Sequence, residues 1–123
     1  MLFTKAFVSN SICGPARATL LTGQHSHKNG MKDNRTRFDS SKITLPKLIG
    51  PAGYQSAIIG KWHLVSYPTG FDYWKILPGQ GLYYNPRMIN MNGDTVNING
   101  YATDVITDEA LDWLNNRDKQ KPF

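Results

Sequence analysis

The order of short apolar runs and helix signals constrains the fold of this chain most strongly. Ala6–Val8 is a short apolar run that predicts a strand, and Gln55–Gly60 predicts a second, buried strand closed by glycine. Two helices are predicted between these runs. Because strands separated by helices pair side by side in parallel, the order strand, helix, helix, strand predicts an α/β fold with a parallel sheet.

The first predicted helix begins at the polar stretch before Cys13. Pro15 suits its first turn and Gly23 suits the position just past its end. Residues 24–41 are polar and poor in aliphatic side chains, and they are therefore expected to form a surface segment.

The second predicted helix has Thr44 as its N-cap and Pro46 near its first turn. It is expected to end before Gly50–Pro51 or by Gly53, since a proline breaks a helix interior.

The remainder of the chain divides into an irregular part and a helix. Residues 65–100 are rich in aromatic residues, Gly, Pro and Asn, which predicts irregular structure with one hairpin around Asn92–Gly93. Residues 101–114 predict a helix whose apolar stripe packs on the core. The stripe consists of Ala102, Val105, Ile106, Ala110, Trp113 and Leu114.

Composition excludes several classes of protein. A chain of 123 residues supports one core at most. The net charge of +5 is spread without a basic run or an RNA-binding signature, which argues against a nucleic-acid partner and leaves a polyanionic substrate open. No stretch approaches the roughly 20 apolar residues of a membrane span, so no membrane partner is expected, and the first residues do not resemble a signal peptide.

The single cysteine, Cys13, stands where a helix is predicted to begin. The free N–H groups and the positive end of the helix dipole make such a position an anion site, and the same field lowers a thiol pKa. From the residues alone, a thiolate nucleophile and a small buried core cysteine both remain open. Arg17 follows one helical turn later, and Lys61 and His63 leave the second strand two residues apart, which predicts that they project to one side with Trp62 opposite.

Two segments of the chain resemble the two signature segments of the formylglycine-dependent sulfatases. They are Ser11–Gly23 and Gly53–His63, in that order, and further likeness runs through residues 70–74 and 101–114. The resemblance implies the alkaline phosphatase-like α/β fold, a parallel-sheet sandwich. It also implies that residues 1–123 are a fragment of a sulfatase catalytic domain, incomplete at both ends.

The resemblance implies a role for each residue of the pattern Cys13-Gly14-Pro15-Ala16-Arg17. A formylglycine-generating enzyme would oxidise Cys13 to formylglycine, whose hydrate provides the nucleophilic oxygen and a route for releasing sulfate. Arg17 would hold that side chain, Lys61 would bind sulfate oxygens, and His63 would contact the hydrate or the sulfate. Cys13, Arg17, Lys61 and His63 are therefore the candidate catalytic residues.

The resemblance also implies a cofactor and a substrate. Family members use Ca²⁺ or another divalent cation held mainly by acidic oxygens, and Cys13 after conversion is the one candidate metal ligand in this chain. The expected substrate is a sulfated glycan, and similarity to glucosamine-6-sulfatase-type members points to 6-O-sulfated N-acetylglucosamine. Lys61, His63, His27 and Asn34 are the candidate substrate-binding residues.

Several alternatives remain open at this point. A phosphonate or phosphate monoester hydrolase of the same superfamily would use a similar anion site, and a non-catalytic glycan-binding module is a third interpretation. His25 and His27 alone are weak evidence for a metal site. The isolated fragment is expected to lack activity, since a hard cation takes about six or more oxygens. By resemblance the full protein is expected to be exported, whether periplasmic, secreted or lysosomal.

Overall fold

The computed structural model describes residues 1–123 as four helices and one four-stranded sheet, with a 3-10 turn over Gly50–Ala52. The elements in chain order are α1 (Cys13–Thr22), α2 (Ser26–Asn29), α3 (Leu45–Ile49), β1 (Ala57–Lys61), β2 (Tyr73–Leu77), β3 (Arg87–Asn90), β4 (Thr95–Asn97) and α4 (Ala102–Asn116). None of these helices is long and apolar enough to cross a membrane.

The sheet is mixed rather than wholly parallel. Its strands follow the order β1-β2-β3-β4, with β1 and β2 parallel and the remaining pairs antiparallel. β2 lies within the region expected to be irregular, so that expectation is wrong for residues 73–77. The predicted hairpin is confirmed: β3 and β4 pair on either side of the turn that contains Asn92 and Gly93.

The strand predicted at Ala6–Val8 is wrong. Residues 1–12 contain no strand, and the Phe7 side chain is 94% exposed. An extended segment becomes a strand only when its N–H and C=O groups pair with a neighbour, and this segment joins no ladder in the structure. Helix α1 therefore does not follow a strand directly.

The ends of the two predicted N-terminal helices are confirmed. Gly23 ends α1 with φ 65° and donates its N–H to the Thr19 carbonyl oxygen at 2.8 Å. Thr44 occupies the N-cap position of α3, although its hydroxyl makes no capping hydrogen bond. The chain continues from α3 through the 3-10 turn, and Gly53 ends it with φ 92°.

The expectation that residues 24–41 lie on the surface is wrong in part. Asn29, Met31 and Phe38 are buried, and the latter two belong to the hydrophobic core. Phe38 also donates its backbone N–H to the Leu64 carbonyl oxygen at 3.0 Å. The segment is polar as a whole, but these few buried residues attach it to the core.

The predicted C-terminal helix and its packing are confirmed. Ala102 is buried and the other residues of the apolar stripe are half-buried. Ile106 lies against Gly60 of β1 so closely that a Cβ on that glycine would come within 3.3 Å of it. Glu109 forms an ion pair with Lys75 of β2, with Nζ to Oε2 at 2.6 Å. Helix α4 is thus fixed to the first two strands of the sheet.

Candidate active site

The side chains that the sequence singles out meet between the start of α1 and the end of β1. The Cys13 Sγ atom lies 3.0 Å from Nδ1 of His63. Arg17 donates from Nη1 to the backbone carbonyl oxygen of Lys61 at 2.5 Å, which ties α1 to the last residue of β1. Cys13, Arg17, Lys61 and His63 are all half-buried, so part of each side chain remains exposed to solvent.

Helix α1 cannot cap its own N-terminus. A local N-cap side chain bonds the N–H of the second or third helical residue. The third residue, Pro15, has no N–H, and the N-cap residue, Ile12, has an apolar side chain. Asn34 instead supplies the acceptor, because its Oδ1 receives the Gly14 N–H at 2.9 Å.

Gly14 makes this close approach feasible. A Cβ at that position would lie 2.9 Å from Asn34 Oδ1, 2.9 Å from the Met31 Cε and 3.2 Å from the His63 carbonyl oxygen. Contacts under 3.0 Å require the neighbours to move. A glycine next to the cysteine therefore lets Asn34 and the His63 backbone approach the start of the helix.

The segment after β1 turns sharply to present His63. Trp62 and Leu64 are buried in the core on either side of it. His63 adopts φ 56° and Val65 adopts φ 58°, both in the left-handed region. The prediction that Lys61 and His63 project to one side assumes an extended backbone, but the strand ends at Lys61. The His63 ring contacts Cys13 from a left-handed turn instead.

The electrostatics at the site favour a neutral imidazole and an ionisable thiol. Partial burial lowers the pKa of His63, and the positive charges of Lys61 and Arg17 lower it further. For Cys13, burial acts to raise the pKa, but hydrogen bonding with Asn34 and the Gly14 backbone, together with the Lys61 charge, lowers it below its ordinary value. A neutral ring with its proton on Nε2 would leave Nδ1, the nitrogen that faces residue 13, as the acceptor.

Gln80 is a site residue that sequence reasoning missed. The Lys61 ammonium group donates to Gln80 Oε1. β1 and β2 are parallel, and Lys61 is in register with Leu77. Residues that follow the two strands therefore meet at one edge of the sheet. Pro78-Gly79 is a typical turn dipeptide directly after β2, but the proximity of Gln80 to Lys61 can be predicted only once β2 is recognised as a strand.

The two further candidate binding residues occupy different places. Asn34 lies at the centre, with Oδ1 3.4 Å from the Cys13 Sγ atom as well as on the Gly14 N–H. His27 is exposed, and its ring lies parallel to that of His25 with 6.1 Å between centroids. It lines a separate polar groove together with Ser9, Asn10, His25, Ser26 and Lys32.

The donor set around Cys13 does not fit a calcium ion by itself. Two side-chain atoms lie close to the Cys13 Sγ atom. They are the Oδ1 oxygen of Asn34 and the Nδ1 nitrogen of His63. No three His, Cys, Asp or Glu side chains cluster in a way that would hold a metal. Calcium takes about six to eight oxygen ligands, so these residues are too few for a complete site.

Comparison with known proteins gives a consistent assignment. The family model described as Sulfatase matches residues 1–123. N-acetylglucosamine-6-O-sulfatase of Bacteroides thetaiotaomicron is 51% identical over 124 residues, covering 98% of this chain and 22% of that protein. N-acetylglucosamine-6-sulfatase of Homo sapiens is 28% identical over 148 residues, covering 100% of this chain and 27% of that protein.

One solved structure superimposes closely on this chain. It is described as a complex with its substrate D-glucosamine-2-N,6-O-disulfate, and it aligns with a TM-score of 0.93 and 50% sequence identity. The alignment covers 98% of this chain and 25% of that one. The chain thus spans about a quarter of the length of the proteins that it matches.

Proposed function

The chain belongs to the sulfatase family and has part of its alkaline phosphatase-like fold, and from this premise we propose that residues 1–123 form part of a catalytic domain that hydrolyses sulfate esters of a sugar. The observation that carries this proposal is the meeting of Cys13 with His63 at the start of α1, with Nδ1 3.0 Å from Sγ. Two segments 50 residues apart in sequence converge there.

The proposed nucleophile comes from Cys13. The Cys-Gly-Pro-Ala-Arg pattern and the partial exposure of the thiol support its conversion to formylglycine by a formylglycine-generating enzyme. The hydrate of formylglycine, formed by addition of water to the aldehyde, supplies one hydroxyl as the nucleophile and a second hydroxyl that loses its proton to expel sulfate and restore the aldehyde. The Gly14–Asn34 hydrogen bond keeps the start of the helix, and with it the side chain of residue 13, in one place.

The sulfate group is proposed to bind between the helix start and Lys61. Sulfate is an anion, and both the positive end of a helix and an ammonium group favour one. Arg17 adds a second positive charge and, through the Lys61 carbonyl oxygen, fixes the end of β1 relative to α1. Lys61 and His63 are therefore the proposed sulfate-binding residues, and Arg17 orients them.

His63 is proposed to move the proton. Its pKa is lowered by burial and by the neighbouring Lys61 and Arg17 charges, which favours a neutral ring, and the tautomer with its proton on Nε2 would accept at Nδ1. A group at residue 13 lies within hydrogen-bond distance of that nitrogen. The same ring can return the proton to a departing oxygen once it has been protonated.

The cation remains part of the proposal for the whole protein. We propose Ca²⁺ or another divalent cation, with an oxygen derived from Cys13 as one ligand and the other ligands supplied by residues outside this chain. The incomplete donor set around Cys13 is consistent with that division. Export of the whole protein, into the periplasm, the medium or a lysosome, is proposed on the same family basis.

The proposed substrate is a 6-O-sulfated glucosamine unit of a glycan. The two curated relatives act, by name, on 6-sulfated N-acetylglucosamine, and the superimposed structure contains a 6-O-sulfated glucosamine. Asn34 is proposed to contact the substrate at the reacting group, and His27 to contact it from the polar groove. The groove includes Asn10, which donates to Ser26 at 3.1 Å and lies three residues before Cys13.

The test uses the full-length protein that contains these residues, produced together with a formylglycine-generating enzyme. Mass spectrometry of the Cys13 peptide is expected to find the aldehyde or its hydrate, and the protein is expected to release sulfate from 6-O-sulfated N-acetylglucosamine. The Cys13→Ala variant should fold and release none. A fully converted protein that cleaves phosphonate esters and leaves sulfate esters intact would contradict the proposal.

A further inference from the structure

Lys61 is held at both of its ends by residues from different parts of the chain. Arg17 of α1 donates to its backbone carbonyl oxygen at 2.5 Å, and its ammonium group donates to Gln80 Oε1. A lysine ammonium group lies at the end of a flexible aliphatic stem, so a fixed backbone does not by itself fix the position of the charge. In this structure the contact with Gln80 supplies the second point of attachment.

Gln80 lies in a tight turn that directly follows β2. Gly81 donates its N–H to the Pro78 carbonyl oxygen at 3.1 Å, which closes a four-residue turn. Gly79 and Gly81 adopt φ 56° and φ 77°, in the left-handed region that glycine adopts most readily. The glycines on both sides therefore give the turn a shape that other residues disfavour, and Gln80 is the side chain that it presents.

The turn also packs tightly on the end of β2. A Cβ at Gly81 would lie 2.7 Å from the Leu77 Cδ1 atom, so the leucine would have to move. Leu77 is buried and is in register with Lys61 across the parallel strand pair. The turn is therefore held directly beyond Lys61, and Gln80 lies next to the ammonium group for that reason.

The same turn borders the candidate active site. Pro78 and Gly79 line a cavity of about 610 Å³ together with His63, which contacts Cys13. Lys61 is half-buried and Gln80 is exposed. The contact between Lys61 and Gln80 therefore lies at the edge of the site, within reach of dissolved anions.

The partner of the Lys61 ammonium group is neutral, which suits a site for an anion. An amide oxygen accepts one N–H of the ammonium group without cancelling its charge, and the other N–H donors stay available. A carboxylate in the same place would pair with Lys61 and repel sulfate. The two ion pairs of this chain use other lysines, Lys75 and Lys121.

We propose that Gln80 is a positioning residue, which holds the Lys61 ammonium group towards the sulfate and leaves its charge uncompensated. The inference rests on the proposed function of the Cys13 site, in which Lys61 binds sulfate oxygens. Gln80 acts through Lys61 and not by contact with the substrate.

The experiment measures the binding of inorganic sulfate to the full-length converted protein by isothermal titration calorimetry. Gln80→Leu removes the acceptor and is expected to raise the dissociation constant roughly fivefold, the size of one hydrogen bond. Gln80→Glu keeps an acceptor but adds a negative charge, and it is expected to raise the dissociation constant by roughly tenfold or more. The kcat/KM for 6-O-sulfated N-acetylglucosamine should fall in the same order.

Two controls separate this role from an effect on folding. Gln120→Glu adds the same charge at an exposed glutamine after α4 and should leave the dissociation constant unchanged. Gln80→Glu should melt at the wild-type temperature or above it, because a carboxylate there pairs with Lys61. A purely structural role of Gln80 does not explain a variant that is equally stable and binds sulfate more weakly.

A double-mutant cycle identifies the residue through which Gln80 acts. In a protein that already carries Lys61→Ala, Gln80→Leu should weaken sulfate binding no further. A further loss in that protein would mean that Gln80 contacts the ligand itself. Unchanged binding in both Gln80 variants would mean that Lys61 is positioned without Gln80, and either result overturns the inference.

The binding measurement also distinguishes this inference from the proposed function. If the converted protein cleaves phosphonate esters and leaves sulfate esters intact, the proposed function fails. The inference then stands if sulfate binding still depends on Gln80 through Lys61. If the protein releases sulfate from the sugar and the Gln80 variants bind inorganic sulfate as the wild type does, the proposed function stands and the inference fails.

Discussion

The two longest helices of this chain are fixed in opposite ways. Helix α1 has no capping side chain of its own and no acidic residue in its first turn, and its start is held by Asn34 and by the link from Arg17 to Lys61. Helix α4 has an apolar stripe along 15 residues and Asp104 in its first turn. The first helix is therefore positioned by distant segments, whereas the second is specified largely by its own sequence.

The two helices also differ in their expected roles, since α1 carries site residues and α4 supports the sheet. The start of α1 keeps its dipole and its cysteine open towards a ligand, and contacts that would normally come from neighbouring residues come from across the fold. Helix α4 packs on β1 and β2 far from Cys13 in sequence and supports the sheet that carries Lys61. Substitutions in α1 should therefore affect activity, and those in α4 should affect stability.

The prediction with the largest expected effect compares an arginine in α1 with an arginine at the end of α4. It tests whether α1 affects activity and α4 does not. Arg17→Ala removes both a positive charge and the hydrogen bond to the Lys61 carbonyl oxygen, and we expect kcat/KM of the full-length protein to fall by about 100-fold or more. Arg117→Ala, at the end of α4, removes a guanidinium that lies 4.0 Å from the Phe123 ring centroid and should leave kcat/KM unchanged. Equal losses in both variants would contradict the contrast.

The second prediction concerns the glycine beside Cys13. A glycine-to-alanine change normally stabilises a helix interior by about 0.5 to 1 kcal/mol. Gly14→Ala is instead expected to destabilise the protein by about 1 to 3 kcal/mol, because its Cβ would meet Asn34 and Met31 at 2.9 Å. Urea unfolding measures this change, and a more stable Gly14→Ala protein would show that Asn34 moves without cost.

Gly50→Ala provides the matched control for that prediction. Gly50 adopts φ −54° and ψ −52°, and a Cβ added there would have no neighbour within 4 Å. Pro51 follows and disfavours the helical region for a residue that carries a Cβ, which offsets the usual gain from alanine. Gly50→Ala should therefore leave the free energy of unfolding within about 0.5 kcal/mol of the wild-type value.

What could be predicted from the sequence follows the same division between local and distant contacts. α1, α3, α4 and the hairpin carry local signals such as Pro15, Gly23 and Asn92–Gly93, and each was predicted. The candidate site residues are predicted from residue pattern and resemblance. Their convergence depends on contacts between distant segments, and no local signal encodes those contacts.

The misses share one physical cause. β2 was missed because an aromatic-rich strand becomes recognisable through its pairing with β1. Gln80 was missed along with it, since its approach to Lys61 follows from that pairing. Ala6–Val8 has a strand-like composition but no partner in the sheet. The left-handed backbone at His63 and Val65 contradicts local preference, so no local signal predicts the turn that follows β1.

The third prediction addresses the attachment of α4 to the sheet. Glu109 receives hydrogen bonds from Lys75 and from the Tyr73 hydroxyl, and the side chains of the Lys75–Glu109 pair are each 18% exposed. Glu109→Gln is expected to cost about 1 to 2 kcal/mol of unfolding free energy at pH 7, between the values for exposed and buried pairs. The variant should retain the kcat of the wild-type protein.

The pH dependence of that difference has a definite sign. Burial alone would raise the pKa of Glu109. The hydrogen bonds from Lys75 and Tyr73 and the Lys75 charge together lower that pKa by more, so the folded value lies below the ordinary one. The stabilisation is therefore complete above the ordinary glutamate pKa of about 4.3 and is lost as the pH falls through the folded value. Urea unfolding from pH 7 to pH 3 should show the two proteins converging at low pH, and a constant gap would contradict the ion pair.

The smallest expected effect isolates the one terminal charge that α4 has and α1 lacks. Asp104 is in the first turn of α4, where a carboxylate interacts favourably with the positive end of the helix dipole. Asp104→Asn should lower the unfolding free energy by about 0.3 to 1 kcal/mol at low ionic strength, and added salt should reduce that difference because an exposed charge is screened.

Asp108→Asn, one turn further into the same helix, removes an equal charge away from the terminus and should have a smaller effect. If the two substitutions lower the unfolding free energy equally, Asp104 does not act through the helix dipole. The difference between α4 and α1 would then rest on the apolar stripe and the Lys75–Glu109 pair alone. A larger loss for Asp104→Asn that fades with salt would instead mean that α4 stabilises its own start, whereas α1 leaves the same terminal field free for an anion.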